Sequence, residues 1–318
     1  MDVVILGRIG YDLYSEEPHV PLPQARRFSR YLGGSSANMA VGLARLGART
    51  GIVSCLGNDS LSRFLIEFLN QENVDTSHVQ IAPGFLPSLA ITEVSPPNSF
   101  PQVFYRHDAV DTQLDATAAD LDYVAGAGMF VTNGTSLCCS PSRESTYRAL
   151  ERAKQAGCRV VFDVDYRPMS WRSPEEAGLA VRLALPFIDI LIGNQIELTL
   201  VAGESDLEAA SRKLRRAGVP ILVSKLGETG TRVWTGDDSV FLPPYAVDVV
   251  STIGAGDGFA SGFLYALIKN KPLTECLHYG NAAAAIVVSR LSCSEAMPAL
   301  TEVEAMISQS RARAVPSR

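Results

Sequence analysis

Short runs of apolar, β-branched residues alternate along the chain with longer segments of helical periodicity. The strand-like runs cover residues 3–6, 51–55, 129–132, 160–164, 188–192 and 221–224. Most are apolar at every position, which is typical of parallel strands with helices on both faces. The helical patterns cover residues 36–46, 61–70, 143–155, 207–217 and 258–269. This alternation predicts βαβ units and a doubly wound α/β sheet.

Two segments interrupt this rhythm, residues 11–31 and 88–111. Both contain stretches in which polar and apolar residues alternate, as in 88–92 and 103–106. We interpret them as a small β lid over one edge of the main sheet, contributed by about residues 11–32 and 88–111. Two ordinary loops are the alternative, although loops of this length are usually functional or disordered. The whole chain, 1–318, is then predicted to be one domain with a lid.

Composition and charge limit the class of protein. Of 318 residues 47% are hydrophobic and 19% are charged, and the formal net charge is −6, which argues against nucleic acid or an anionic membrane as partner. We find no apolar run of about 18 residues that would predict a membrane span. The six cysteines include no C-x-x-C pair. They are expected to be buried free thiols in a reducing compartment, so we predict a cytoplasmic location.

The segment Ser251-Thr252-Ile253-Gly254-Ala255-Gly256-Asp257 carries the clearest chemical signal. Gly254 and Gly256 precede a helical pattern and allow backbone N–H groups to approach a ligand closely. The first helical turn adds unpaired N–H donors and the positive end of the helix dipole, which together favour an anion such as a phosphoryl group. Asp257 in this turn is the candidate catalytic base, and the helix end is expected to favour its ionised form.

A glycine-rich turn with an acidic residue at a helix start is the structural alternative for this segment. The P-loop pattern and the dinucleotide-binding G-x-G-x-x-G pattern are both absent from the sequence. Those two explanations for the glycines are therefore excluded.

Four motifs in order resemble the ribokinase-like (PfkB) carbohydrate kinases. They are Gly33-Gly34-Ser35-Ser36-Ala37-Asn38-Met39-Ala40 with the later Leu46-Gly47, Asn194-Gln195-Ile196-Glu197, Lys225-Leu226-Gly227-Glu228-Thr229-Gly230 and Gly254-Ala255-Gly256-Asp257. The resemblance extends over nearly the whole chain. It implies a three-layer α/β/α domain with a mainly parallel sheet and a small β lid. It also implies transfer of the γ-phosphoryl group of ATP to a primary alcohol, with Mg²⁺.

The resemblance further implies roles for individual residues. Asp257 would be the base, and Gly254, Ala255 and Gly256 would form the anion hole. Substrate contacts would come from Asp12, Gly33, Gly34 and Asn38. Nucleotide contacts would come from Asn194, Lys225, Gly227, Gly230 and Asn281, and Glu197 would place the metal through water. A turn aspartate at 12, a helix cap at 33–38 and a surface glutamate at 197 are the structural alternatives.

Longer blocks resemble one branch of this family, the 5-dehydro-2-deoxygluconokinases of myo-inositol degradation. The blocks are Arg8, Arg30-Tyr31, residues 105–111, residues 165–171 and residues 292–298. The implied substrate is a keto acid, whose carboxylate needs a cation. Arg8, Arg30, Arg106 and Arg167 are candidates, and Arg106 and Arg167 are the two we favour; a structural ion pair is the alternative for each.

Two departures from the family pattern affect these expectations. Ser251 stands where many relatives have an aspartate that helps to hold a monovalent cation, so a potassium requirement is doubtful. Asp165 stands where the family often has asparagine after the central strand. Sugar contacts at that position therefore cannot be transferred from relatives.

Other functions stay open from the sequence alone. A 2-keto-3-deoxygluconate kinase or a fructokinase of the same family fits the same motifs. A catalytically inactive sugar or nucleotide sensor is the alternative from a different class. The exposed edges of the predicted lid favour a homodimer formed through the lid.

Overall fold

The computed structural model describes residues 1–96 and 99–314, which contain thirteen strands and ten α-helices. The strands are β1 (Val3–Leu6), β2 (Gly10–Ser15), β3 (Phe28–Gly33), β4 (Thr50–Leu56), β5 (Asp75–Ile81), β6 (Ser88–Thr92), β7 (Gln102–Tyr105), β8 (Met129–Asn133), β9 (Arg159–Asp163), β10 (Ile190–Asn194), β11 (Ile221–Lys225), β12 (Thr231–Thr235) and β13 (Asp238–Leu242).

The helices connect the strands and follow the last of them. They are α1 (Ser35–Arg45), α2 (Ser60–Gln71), α3 (Ala118–Ala125), α4 (Ser142–Gln155), α5 (Pro174–Ala184), α6 (Gln195–Ala202), α7 (Leu207–Arg216), α8 (Ala255–Ile268), α9 (Leu273–Val288) and α10 (Leu300–Ala314). Polar side chains fix several starts: Asp59 caps α2, Asp206 caps α7, and Thr117 with Asp120 forms a capping box on α3.

Nine strands form the main sheet in the order β13-β12-β11-β10-β9-β8-β1-β4-β5. The seven strands from β11 to β5 are parallel, and β12 and β13 add an antiparallel edge. Every residue of β1, β4 and β8 is buried, because helices cover both faces of the parallel part. The carboxyl ends of these strands consequently meet at one edge, where ligands bind in such sheets.

A second sheet of four strands, in the order β3-β2-β6-β7, stands beside that edge. Along β7 the exposure alternates: Gln102 and Phe104 face inward, whereas Val103 and Tyr105 are exposed. This sheet uses the two segments that were expected to form the lid. Residues 97 and 98 of the second segment lie outside the described residues.

The predicted α/β fold class is confirmed by this arrangement and by the comparisons below. The six predicted strands correspond to β1, β4, β8, β9, β10 and β11, with shifts of two residues or fewer at their ends. The pattern missed β5, β12 and β13; β5 and β13 have no fully buried residue and lack the apolar run. It also missed α3, α5, α6, α9 and α10. None of the described helices is long and apolar enough to cross a membrane.

Close packing of α8 against α9 holds the start of α8 in place. Gly262 lies where the two helices meet, and a Cβ there would be 2.3 Å from the Tyr279 carbonyl oxygen and 2.9 Å from the Ala283 Cβ. The obstacle is backbone, which cannot move aside as a flexible side chain can. Glycine at 262 therefore sets the distance between the helices.

We predict that Gly262→Ala lowers the free energy of unfolding by about 1–3 kcal/mol, because the clash outweighs the gain of about 1 kcal/mol in helix propensity. Denaturant unfolding measures the change. The matched control is Gly126→Ala, whose φ is −81° and whose nearest contacts to a Cβ are 3.5 and 3.6 Å. An unchanged stability of Gly262→Ala would contradict the packing argument.

Candidate active site

A polar cavity of about 580 Å³ opens at the carboxyl edge of the main sheet. Its walls come from the first turns of α1 and α8, from the ends of β9, β10 and β11, and from the lid. Of the predicted site residues, those lining it are Asp12, Gly34, Asn38, Arg167, Asn194, Glu197, Lys225, Gly227, Gly254, Gly256 and Asp257. Residues far apart in sequence thus share one cavity.

Asp257 is held from the opposite side of the cavity by the first turn of α1. Its Oδ1 accepts a hydrogen bond of 2.7 Å from Ser35 Oγ, and its Oδ2 accepts one of 2.8 Å from Asn38 Nδ2. The N-termini of α1 and α8 therefore converge on a single carboxylate. The Asn38 Oδ1 is fully buried and has no hydrogen-bond partner among the described residues.

The turn before α8 has the backbone shape expected of an anion site. Gly254 is the N-cap residue with φ of 82°, a left-handed conformation that favours glycine, and no side chain caps the helix. A Cβ at Gly254 would also lie 3.1 Å from Cys293. Among the described residues, the Ala255 N–H of this 14-residue helix donates to the Thr252 carbonyl at 3.4 Å, and the N–H groups of Gly256 and Asp257 are left for a ligand.

Burial raises the pKa of the Asp257 carboxyl, and the nearby Asp165 carboxylate raises it further. The hydrogen bonds from Asn38 and Ser35 and the charge of Arg167 act in the opposite direction but are weaker. The expectation that the helix end alone would favour the ionised form is corrected here, because the loss of hydration outweighs it. A base with a raised pKa is better matched to accept a proton.

Asp12 lies on β2 and faces the same cavity. Gly33 on the neighbouring strand makes room for it, since a Cβ at Gly33 would lie 2.2 Å from Asp12 Oδ1. Burial raises the pKa of Asp12 to about 6, and Asp257 adds to the effect while Arg8 and Arg167 oppose it. Two carboxylates therefore share this end of the cavity.

Lys225, at the end of β11, pairs with Asp163 at the end of β9. Its Nζ lies 2.9 and 3.0 Å from the two carboxylate oxygens. Burial lowers the pKa of Lys225, but Asp163 and Glu197 outweigh it, so the pKa of the amine is raised. The Nζ also lies 3.3 Å from the position of a Cβ at Gly256, which puts a fixed positive charge beside the anion turn.

Glu197 and Asn194 form a capping box at the start of α6. Glu197 Oε2 accepts from the Asn194 N–H at 2.7 Å, and Asn194 Oδ1 accepts from the Glu197 N–H at 2.9 Å. Glu197 Oε1 accepts from the Tyr166 N–H at 3.0 Å. Both oxygens thus have backbone partners, and the described residues contain no group of three or more His, Cys, Asp or Glu that would hold a metal ion directly. This suits an indirect contact through water.

The two favoured arginines occupy different places. Arg167 lines the cavity and pairs with Asp165 at 3.0 Å. Arg106 does not line it and uses all five of its N–H donors on Asp111, Cys138, Ser170 and the Thr135 carbonyl. The structural ion pair, which was the alternative for each arginine, accounts for Arg106.

The predicted site residues that do not line the cavity are Gly33, Ala255, Arg106, Gly230 and Asn281. Gly230 has φ of 122°, and a Cβ there would lie 2.3 Å from the Leu242 carbonyl oxygen, so it shapes the β11–β12 turn. Asn281 is buried on α9, accepts from Thr231 Oγ1 and donates to the Pro243 carbonyl. Its amide ties α9 to strand β12.

The structure adds cavity residues that were not among the predicted site residues: Ser35, Phe100, Gln102, Phe104, Asp163, Asp165, Thr252, Ile253 and Cys293. Of the other two candidate cations for the carboxylate, Arg8 lines the cavity and Arg30 does not. Two signals were available in the sequence. Polar residues directly after apolar strands, such as Asp163, mark the carboxyl edge of the sheet. The alternation in β7 places Gln102 and Phe104 on one face, but which face is inward depends on the tertiary structure.

Comparisons with known proteins identify the family of the chain. The family model described as pfkB family carbohydrate kinase matches residues 1–300. A 5-dehydro-2-deoxygluconokinase of Geobacillus kaustophilus (strain HTA426) is 37% identical over 317 residues, covering 98% of this chain and 95% of that protein. Among solved structures, a fructokinase with bound ATP from Xylella fastidiosa superposes with a TM-score of 0.85 at 25% identity, covering 98% of this chain and 99% of that one. A ribokinase II from E. coli in complex with ATP and Mg²⁺ gives 0.90 at 24% identity, covering 97% and 99%.

We predict that Asp12→Asn raises the free energy of unfolding near pH 8 by up to about 3 kcal/mol while lowering activity. The wild-type carboxyl, with its pKa raised from 3.8 to about 6, gives full stability below pH 4 and loses it as the pH rises to 6. The gain of the variant should therefore grow from pH 4 to pH 6 and stay constant above. Denaturant unfolding across pH measures it, with the fully exposed Asp237→Asn as control. A pH-independent difference would contradict this assignment.

Proposed function

The chain belongs to the pfkB family of carbohydrate kinases, and from that premise we propose that it transfers the γ-phosphoryl group of ATP to a primary hydroxyl of 5-dehydro-2-deoxy-D-gluconate, in myo-inositol degradation. The observation that carries the substrate assignment is the 37% identity over 98% of the chain to a protein of that activity. The polar cavity supports it, because three cations and several carboxylates suit a hydroxylated acid.

Asp257 is the proposed catalytic base. It would accept a hydrogen bond from the substrate hydroxyl and take its proton as the oxygen attacks phosphorus. Ser35 and Asn38 hold both of its oxygens, so the orientation of the carboxylate is fixed before the substrate arrives. Its raised pKa suits the acceptance of a proton, and phosphoryl transfer needs positioning more than a strong base.

The anion turn of Gly254, Ala255 and Gly256 would stabilise the charge on the phosphoryl group in transfer. The first-turn N–H groups of α8 supply donors without reorganisation, and Lys225 Nζ lies beside Gly256. The Asp163 carboxylate fixes the position of that amine.

ATP is proposed to enter from the side of the cavity formed by Asn194, Lys225 and Gly227, with Gly230 shaping the loop and Asn281 supporting it from α9. Mg²⁺ bound with the nucleotide would neutralise charge on the phosphates. Glu197 would orient water around this ion.

Ser251 is buried and its Oγ accepts from the Ile253 N–H, so no monovalent cation is part of the proposal.

Substrate contacts are proposed for Asp12, Asn38 and Arg167. The Asp12 carboxylate lines the cavity and would accept hydrogen bonds from hydroxyl groups, and Asn38 lines the same cavity. Gly33 and Gly34 keep this side of the cavity clear. Gly34 has φ of 93°, and a Cβ there would lie 2.5 Å from the Arg8 carbonyl oxygen.

A substrate panel tests the assignment. 5-Dehydro-2-deoxygluconate, 2-keto-3-deoxygluconate and fructose should be phosphorylated with kcat/KM highest for the first. A preference for one of the others would reassign the substrate within the family. No phosphorylation of any sugar, with nucleotide binding intact, would favour a non-catalytic sensor.

We further propose a cytoplasmic homodimer formed through the lid. All six cysteines are free, which fits a reducing compartment. Strand β7 is an edge of the lid sheet, and its Val103 and Tyr105 are 46% and 61% exposed. An exposed edge with apolar side chains is suited to pairing with a second copy.

We predict that Asp257→Asn lowers kcat by about two to four orders of magnitude, because the amide cannot take the hydroxyl proton. Calorimetry should find ATP binding nearly unchanged. The control is Asp206→Asn, an exposed acidic residue at the start of α7 whose replacement still caps the helix. Turnover near the wild-type rate in Asp257→Asn would refute its role as base.

For the lid, sedimentation velocity at micromolar concentration should find a dimer for the wild type. Tyr105→Asp should shift it towards monomer, because a charge would be buried in the interface. Phe241→Asp is the control, since Phe241 is an exposed aromatic residue, 46% exposed against 61% for Tyr105, but lies on β13, the edge of the main sheet. A monomeric wild type, or equal effects of the two variants, would count against the lid interface.

A further inference from the structure

Arg8 differs from every other cation of the cavity in having no acidic partner. It lies between β1 and β2, lines the cavity and is 8% exposed. Within the described residues its one hydrogen bond is donated by Nη1 to Ser88 Oγ at 3.0 Å, and it forms no ion pair. By contrast, Arg167 pairs with Asp165 and Lys225 with Asp163.

A guanidinium has five N–H donors and stays charged in proteins. Burying it with one neutral acceptor is costly, so its remaining donors call for a partner. Within the described part of the chain, none of its nitrogens is among the fully buried atoms that lack a partner, and Arg8 lines the cavity, so the unused donors are accessible from it. A ligand in the cavity is therefore placed to supply the missing acceptor.

The surrounding chain is shaped to keep Arg8 in place. A Cβ at Gly10 would lie 2.7 Å from Arg8 Nη1, so glycine leaves the space that the guanidinium occupies. Ser88, fully buried at the start of β6, fixes one nitrogen from the lid. The arginine is thus held at the junction of lid and main sheet, where its orientation is set before a ligand binds.

The charges near Arg8 point to an anionic ligand of modest size. Burial lowers the pKa of Arg8, and the positive charge of Arg106 lowers it further. Asp111, which would otherwise compensate, is already bound by two nitrogens of Arg106. Asp12 and Asp165 attract Arg8 but neither approaches to ion-pair distance. A planar, bidentate acceptor such as a carboxylate suits the open donors best.

We infer that Arg8 is the residue that binds the carboxylate of the sugar acid and so determines specificity for acids over neutral sugars. This inference rests on the proposed function. The substrate bears its carboxylate at one end and the reacting hydroxyl at the other. Arg8 and Asp257 line the same cavity from different elements, so the substrate would extend between them. Arg106, fully engaged with protein groups, is a support and not a ligand contact.

The test compares Arg8→Gln with the wild type on 5-dehydro-2-deoxygluconate and on its neutral primary amide. For the acid, kcat/KM should fall about ten- to a hundredfold, and for the amide by less than about threefold. Arg8→Lys should fall between, because lysine keeps the charge without the bidentate geometry, and it carries the test if Arg8→Gln does not fold. Thermal unfolding of each variant checks the fold.

Arg167→Gln and Arg106→Gln are the matched controls. Arg167→Gln should lower kcat/KM for acid and amide alike, and Arg106→Gln should mainly lower the unfolding temperature. Equal losses for acid and amide in Arg8→Gln would overturn the inference, and selective loss in Arg167→Gln would assign the carboxylate to Arg167.

Failure of the proposed function is distinguishable from failure of this inference. If the wild type prefers a different sugar acid, that acid and its amide replace the pair above, and the same selective loss supports Arg8. If the wild type phosphorylates only neutral sugars, both proposals are wrong, because Arg8 then has no carboxylate to bind.

Discussion

The carboxylate of Asp257 is the constraint around which the cavity is arranged. It closes a contact between the first turns of α1 and α8, which lie more than 200 positions apart in the chain. Burying an ionised group costs several kcal/mol unless hydrogen bonds and opposite charges offset it. Ser35 and Asn38 supply the hydrogen bonds, and Arg167 supplies charge. The same arrangement places the N–H groups at the start of α8 beside this carboxylate.

Like charges in one cavity give the site its chemical character and weaken the fold locally. The charge of Asp257 raises the pKa of Asp12, and the charge of Asp165 raises the pKa of Asp257, in both cases in addition to the larger effect of burial. Burial and its acidic neighbours likewise raise the pKa of Asp163 to about 7, despite Lys225. In the absence of a ligand, the ionised forms of Asp12, Asp163 and Asp257 are thus less stable in the cavity than they would be on the surface. Buried carboxyl groups with raised pKa values are common at sites of proton transfer and ligand binding, where they lower the stability of the fold.

Three arginines that look equivalent in sequence differ in their burial and in their hydrogen-bond partners. Arg106 donates two hydrogen bonds to Asp111 and three to other protein groups, so its donors are all used without a ligand. Arg167 is about half exposed and forms an ion pair with Asp165. Arg8 is buried with most of its donors unused. Residue type and local context could not separate them, because each follows or lies within a strand-like segment.

Local patterns in the sequence were enough to predict the α/β class, the positions of six strands and the glycine turn before Asp257. These depend on local periodicity and on backbone conformations that few residues other than glycine adopt. The sequence also placed Asp12, Asn38, Lys225 and Asp257 in one site through the resemblance to a family. The tertiary structure was needed to show that Arg106 is paired with Asp111, whereas Arg8 has no acidic partner among the described residues. It was also needed to show that Asn281 and Gly230 support the cavity without lining it. Ion pairing and burial depend on side chains brought together from distant segments, and local sequence carries no record of those distances.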